Sequence, residues 1–331
     1  MLRGSLALCA LLTIIPAGDG GLAEDMGRGE QVTRSPRELA SDLTAADPAV
    51  RTRAACGLRE LGDRAVDAIP PLVTLLADAA PVDGMICGQR WSRHGESELT
   101  SPGEEAAAAL AAIGTRSFQP LLSALRRDAW VARRNAAWAL GALDDNRAVG
   151  GLSDTLRDRE APVREQSAWA LGAIDDTQAV PALITALKDT DAGVRRQAAW
   201  ALGALDDPRA TPGLIQALED ADDRTRSQAA WALGAIDDRT AVQPLARALG
   251  DKAATVRKQA AWALGAIDDA GAVDALVKVL TDENAGVREQ AAWALGAIGD
   301  SRALSSLLGA LKDDNVGVRR QAAWAIGAMG R

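Results

Sequence analysis

Residues 228–238 read QAAWALGAIDD, and the same run returns at 259–269. Near-copies begin at 135, 166, 197, 290 and 321. Each carries one tryptophan: Trp138, Trp169, Trp200, Trp231, Trp262, Trp293 and Trp324, always 31 residues apart. A period of that size marks supersecondary units that cannot bury a core alone and must stack on their neighbours. The chain has 331 residues, a length that would otherwise suggest two domains. The repeat overrides that expectation, because arrays grow by adding units.

One unit, 179–209, reads AVPALITALKDTDAGVRRQAAWALGALDDPR. AVPALITALKD is a short amphipathic helix with Leu183, Ile184 and Leu187 on one side. TDAG is a polar turn, VRRQAAWALGAL is a second helix, and DDPR ends it. Two short helices per unit with tight turns predict an all-α solenoid. The second-helix pattern occurs seven times between 131 and 329, and two degenerate copies precede these. VRTRAACGLRELG (50–62) puts Cys56 in the tryptophan position, and EEAAAALAAIG (104–114) puts Ala108 there. Nine helix pairs are therefore expected over 36–331, the first two atypical as capping units are. No comparable polar cap is expected after the last unit, so its outer face is expected to be bare and a dimer is conceivable. Residues 78–103 interrupt the second unit, and their Gly, Pro and Ser content reads as a loop. It carries Cys87, Trp91 and the single histidine, His94.

The N-terminus reads as an export signal. Arg3 precedes the apolar run LALCALLTIIPA (6–17), too short to span a bilayer, and small residues follow. Cleavage is expected after Ala23, leaving a linker at 24–35 and an exported protein, periplasmic or secreted, without a membrane span. Cys9 leaves with the signal. Cys56 and Cys87 then remain as a candidate disulfide, the alternative being two free thiols.

The units resemble HEAT repeats, in particular the short HEAT-like type first described in phycobilisome lyases. The resemblance rests on a proline in the first helix (Pro181, Pro212), an aspartate closing it (Asp189) and Val194-Arg195 opening the second. The Asp-to-Arg spacing of six recurs at Asp158/Arg164, Asp189/Arg195, Asp220/Arg226, Asp251/Arg257, Asp282/Arg288 and Asp313/Arg319. In that family these residues form a buried ladder between neighbouring repeats. Arg127 stands where the 117–147 unit should have its aspartate, so the ladder is expected to break there.

A helical wheel at 100° per residue centres the apolar face of 193–205 on Val194, Ala198, Ala201, Leu202 and Leu205. Trp200 falls about 160° from Leu202, on the side away from that core, with Gln197, Arg196 and Ala204 near it. The resemblance implies that these positions line a concave surface, since designed binders of the family vary them. Two rails are thus expected in a groove. One is tryptophan, from Trp138 to Trp324. The other is amide: Asn135, Gln166, Gln197, Gln228, Gln259, Gln290 and Gln321. Stacked helices sit about 8–10 Å apart and an extended peptide rises about 3.3 Å per residue. One unit would then match about three ligand residues. The expected work is non-catalytic: a scaffold or adaptor holding a protein or extended peptide. The bland alternative is that the tryptophans pack flat and stiffen the stack. A glycan or cell-wall strand is the other candidate ligand, because tryptophan rows also stack on sugars.

Other chemistry is poorly supplied. A net charge of −8 argues against nucleic acid. One histidine and two mature cysteines do not make a metal cluster, and no cofactor is implied. The paired His-Glu motifs of the HEAT-repeat hydroxylase acting on deoxyhypusine are missing. The recurring Asp-Asp pairs (Asp175-Asp176, Asp206-Asp207, Asp237-Asp238, Asp268-Asp269) read as turn residues. An accessory role of the bilin-lyase kind is the enzyme-class alternative.

Overall fold

The computed structural model describes residues 34–87 and 99–329. The proposed signal, the linker up to 33, Trp91 and His94 lie outside the described residues. The described chain is an α-solenoid of nine helix pairs. The first helices of the pairs are α1 (Pro36–Asp42), α3 (Ile69–Leu75), α5 (Phe118–Ala124), α7 (Val149–Thr155), α9 (Val180–Ala186), α11 (Thr211–Ala217), α13 (Val242–Ala248), α15 (Val273–Val279) and α17 (Leu304–Ala310). The second helices are α2 (Pro48–Leu61), α4 (Pro102–Ile113), α6 (Trp130–Ala142), α8 (Ala161–Ala173), α10 (Ala192–Ala204), α12 (Asp223–Ile236), α14 (Ala254–Ile267), α16 (Ala285–Ile298) and α18 (Val316–Met329). None is long and apolar enough to cross a membrane.

The turns explain the period. In unit 5 the Asp191 side chain accepts from Val194 N at 3.1 Å, capping α10. Asp189 accepts from Asp191 N at 2.8 Å and squares the corner between the two helices. At the other end, the first residue of each Asp-Asp pair takes a left-handed conformation: Asp144, Asp175, Asp206, Asp237 and Asp268. The second caps the short 3-10 turn that leads into the next unit, as Asp207 does by accepting from Arg209 N at 2.9 Å. The two aspartates therefore divide the work of ending one helix and starting another.

The core is a single continuous column. Val194, Ala198, Ala201, Leu202 and Leu205 are buried, and so are Ala199 and Gly203 on the flank. The buried arc of a second helix is wider than the wheel suggested because two neighbours cover it. Alanine and glycine on that flank let the helix backbones approach closely. A Cβ on Gly203 would lie 2.8 Å from Ala232 Cα of the following unit.

The interruption of unit 2 is not wholly loop. Val82–Asp83 (β1) and Leu99–Thr100 (β2) form a two-residue antiparallel ladder, with Val82 opposite Thr100. A 3-10 turn, Gly84–Cys87, follows β1. Cys56 and Cys87 are joined as a disulfide with Cα atoms 6.0 Å apart.

Candidate functional site

The second helices pack on one another along their length, while the first helices make far weaker contacts with each other. The second helices thus form a continuous layer along the stack. Their free flank carries the tryptophans. Trp138, Trp169, Trp200, Trp231, Trp262 and Trp293 are half-buried and packed against the core, and Trp324 is 43% exposed.

From Trp169 on, each ring leans back over the preceding unit. Trp200 Cζ3 would touch a Cβ on Gly172 at 2.8 Å, and Trp231 stands over Gly203, Trp262 over Gly234, Trp293 over Gly265 and Trp324 over Gly296 in the same way. Trp138 and Trp169 stack, with ring centroids 6.2 Å apart and planes within 3°. The greater exposure of Trp324 shows how much the following unit shields the other six. The wheel placed these side chains away from their own core, and it could not show the glycine slot 28 positions earlier that receives each ring from Trp169 to Trp324. The flank is thus a paved strip of indole surface, part seam and part exposed face.

The amide rail is less uniform. Gln166, Gln197, Gln228, Gln259, Gln290 and Gln321 are half-buried. Asn135 leaves the rail: it is 1% exposed, and its Nδ2 donates to Leu76 O at 3.0 Å. Gly103, in the position of the ladder arginine, explains this correction: a Cβ there would lie 2.8 Å from Leu76 O and 3.0 Å from Asn135 Nδ2, so the missing side chain leaves the room that Asn135 fills.

The insert closes the same end of the strip. Cys56 and Ala108, in the tryptophan positions of units 1 and 2, are 5% and 6% exposed. Glu105, in the amide position of unit 2, is 2% exposed. It accepts from Arg59 Nη1 at 2.7 Å and Thr100 Oγ1 at 3.1 Å. Cys56, Cys87 and Glu105 present donor atoms within 4.8 Å of one another. With the sulfurs bonded to each other, that group has no free thiolate to offer a metal.

The position before each amide, where the sequence mixes charges (Arg134, Glu165, Arg196, Ser227, Lys258, Glu289 and Arg320), shapes the rest of the strip. Glu104 pairs with Arg134 at 2.8 Å, Glu165 with Arg196 at 3.6 Å and Glu289 with Arg320 at 3.4 Å, each across a unit boundary. Ser227 and Lys258 hold the same position in units 6 and 7, and Lys258 is exposed. Among the described residues no carboxylate bridges them, so the strip is open there around Trp231, Trp262, Gln228 and Gln259.

Beside the strip runs the Arg–Asp ladder. From Arg133 to Arg288 each arginine reaches the aspartate of the next unit, 25 residues on, rather than the one six residues before it, and Arg51 reaches Asp78 likewise at 2.7 Å. Arg164 grips Asp189 at 2.6 and 2.7 Å, and its Nη1 holds Asp158 O at 2.9 Å. The same rung joins Arg133 to Asp158, Arg195 to Asp220, Arg226 to Asp251, Arg257 to Asp282 and Arg288 to Asp313. The break at Arg127 lies between units 2 and 3, where Gly103 and Arg127 replace both partners at once. Arg133 itself keeps its rung. At Asp189 burial pushes the carboxyl pKa up, yet the hydrogen bonds from Arg164 and from Asp191 N outweigh it and hold it below the usual range. Asp251 is lowered chiefly by its hydrogen bond from Arg226.

A stack of paired helices with an Arg–Asp ladder and one chemically repetitive flank defines an α-solenoid, an architecture typical of protein-interaction scaffolds. The family profile described as HEAT repeats matches residues 103–172, 151–224, 211–285 and 255–327, and that of the PBS lyase HEAT-like repeat matches 50–78. The chain belongs to the HEAT-repeat family. Among solved structures it is similar to yeast importin-β, Kap95p, at 16% identity and a TM-score of 0.64, covering 88% of this chain and 46% of that one. It is thus similar to about half of the yeast protein. The YibA protein of Escherichia coli is similar at 21% identity and a TM-score of 0.57, covering 83% of this chain and 96% of that one. Both likenesses are likenesses of fold. No curated protein matches the sequence.

Proposed function

We propose that this chain is a non-catalytic scaffold that holds an extended segment of a partner protein along the tryptophan-bearing flank of its second helices. One observation carries the reading: an accessible indole strip, repeated in seven consecutive units, runs beside a row of amides. Indole faces offer large contact area at little entropic cost, and glutamine side chains pair with both the N–H and the C=O of a peptide. Unit-to-unit packing explains why the rings lean. It does not require indole at a position whose outer side stays partly wet. HEAT solenoids such as importin-β, solved in complex with Nup1, bind protein partners, which supports the class of partner and nothing narrower. Export, as a periplasmic or secreted protein, belongs to this proposal and rests on residues 1–23 alone.

The open stretch at units 6 and 7 is where binding is expected to centre. The test is to pan a phage-displayed library of random peptides against the chain and measure the enriched peptides by calorimetry. Binding should weaken at least about tenfold in Trp231→Ala/Trp262→Ala and change with peptide charge in Lys258→Glu. Circular dichroism checks that both variants remain folded. No enrichment, or peptides that bind both variants like the parent, would overturn the reading.

A further inference from the structure

Three departures from the repeat meet at one point. Cys56 stands where later units carry tryptophan, Glu105 where they carry glutamine, and Cys87 belongs to the insert of unit 2. Their donor atoms lie within 4.8 Å of one another. Glu105 is a carboxylate only 2% exposed. Arg59 Nη1 donates to its Oε2 at 2.7 Å, and Thr100 Oγ1 in β2 donates to its Oε1 at 3.1 Å. Cys56 Sγ lies 3.6 Å from the same Oε2. As half of a disulfide that sulfur carries no proton, so it gives the carboxylate no hydrogen bond. Reduction changes this contact: two cysteine sulfurs and a carboxylate oxygen then face one another in a largely buried corner.

Two thiolates and a carboxylate are donors that suit a thiophilic divalent cation. In a tetrahedral site with Zn–S about 2.3 Å and Zn–O about 2.1 Å, sulfur and oxygen ligands stand about 3.6 Å apart. Cys56 Sγ and Glu105 Oε2 already have that separation. We propose that reduction of the Cys56–Cys87 disulfide opens a Zn²⁺ site made of Cys56, Cys87 and Glu105, with water in the fourth position. A dithiol reductant passes two electrons and two protons to the S–S bond, which breaks, and closes its own disulfide. Zn²⁺ then displaces both thiol protons to solvent as the two Zn–S bonds form. The cation, two thiolates and the Glu105 carboxylate sum to one negative charge. Arg59 neutralises it, so the cluster is buried without net charge. Arg59 and Thr100 also hold the carboxylate in place, as the hydrogen-bond partners of metal ligands do. A count of cysteine and histidine misses this site, because its third ligand is a glutamate 49 residues from Cys56. Disulfide and metal are then interchangeable staples. Each ties the turn at Gly84–Cys87 to α2, so the insert keeps its place at the end of the strip in either redox state.

Co²⁺ is the probe, because its tetrahedral thiolate complexes are coloured and those of Zn²⁺ are not. The full chain with Cys9→Ser, which removes the third thiol, is reduced with a phosphine, freed of it under argon and titrated with Co²⁺. A thiolate-to-cobalt charge-transfer band should grow to one equivalent per chain, together with visible ligand-field bands, and Zn²⁺ should bleach both. The oxidised chain should show neither. Glu105→Gln should weaken Co²⁺ binding at least about tenfold. Cys87→Ser, in a turn outside the helix stack, leaves the repeats folded and should lose the stoichiometric band. Hydrogen exchange over 82–87 should quicken on reduction and slow again with Zn²⁺. A reduced chain without the charge-transfer band would overturn the proposal. So would a band that persists in Cys87→Ser, binding indifferent to Glu105→Gln, or exchange over 82–87 that Zn²⁺ leaves fast.

Discussion

Arg195 binds Asp220 of the next unit through Nε at 2.7 Å and Nη2 at 2.8 Å, while its Nη1 holds Asp189 O at 3.0 Å in its own unit. One guanidinium therefore fixes the corner between two helices and the spacing to the next pair. The two side chains are 15% and 10% exposed, so the pair is only lightly screened. Arg195→Ala leaves a carboxylate and a carbonyl without donors, and should cost about 3 kcal/mol. Arg195→Lys should recover less than half, because an ammonium cannot make the planar fork. Urea unfolding midpoints of the three proteins check both statements; equal midpoints for parent and Arg195→Ala would remove the ladder from the account of stability.

The ladder also sets an acid limit. Asp158, Asp189, Asp220, Asp251, Asp282 and Asp313 all have carboxyl pKa values below their usual level. A carboxylate whose pKa is depressed in the folded state adds stability above its unfolded value, about 4, and that stability is lost as pH falls towards the folded value. Thermal midpoints should be level from pH 7 to about 5 and drop steeply below about 4. In Asp220→Asn the drop should be shallower, since one of the six depressed groups is gone.

The glycine slots give a prediction of opposite sign at two equivalent positions. A methyl group on Gly203 would meet Trp231 Cζ3 at 2.7 Å and Ala232 Cα at 2.8 Å, so Gly203→Ala must push two units apart. It should destabilise by about 1–3 kcal/mol. Gly327 lies in α18 with open space around it, and Gly327→Ala should stabilise by up to about 1 kcal/mol through helix propensity alone. Denaturation curves of the two variants decide it. If both shift the same way, the indole and alanine of the next unit do not fill the slot.

Much of this architecture was legible in the letters. The 31-residue period fixed the helix pairs, and Arg127 marked the place where the ladder breaks. The direction of each rung was not legible, because an Asp–Arg spacing of six looks like a local pair while the actual partner stands 25 residues later. Asn135 looked like its glutamine counterparts. Its burial depends on the room that Gly103 leaves beside Leu76 O, a relation to another unit that no periodicity encodes. The lean of Trp200 over Gly172 is likewise a relation between units, and a wheel drawn on one helix contains only one of the two partners.

The left-handed aspartates offer the last test. Asp206 has φ 48°, a conformation in which an L side chain crowds its own backbone. Its carboxyl pKa is raised, first by burial and then by the charges of Asp237 and Asp175 in the same row of neighbouring units. At neutral pH the ionised group thus works against the fold, and the penalty fades as pH falls through the raised value. Asp206→Gly removes both strain and charge and should stabilise at pH 7 by about 0.5–1 kcal/mol; Gly299 already occupies this position in the eighth unit with φ 68°. Asp206→Asn keeps a side chain that tolerates the left-handed region and removes only the charge. It should match part of the glycine gain at pH 7 and lose that advantage near pH 3, where the parent carboxyl is neutral. Unfolding free energies at the two pH values separate strain from repulsion. A gain in Asp206→Asn that persists at pH 3 would show that the row of carboxylates does not repel.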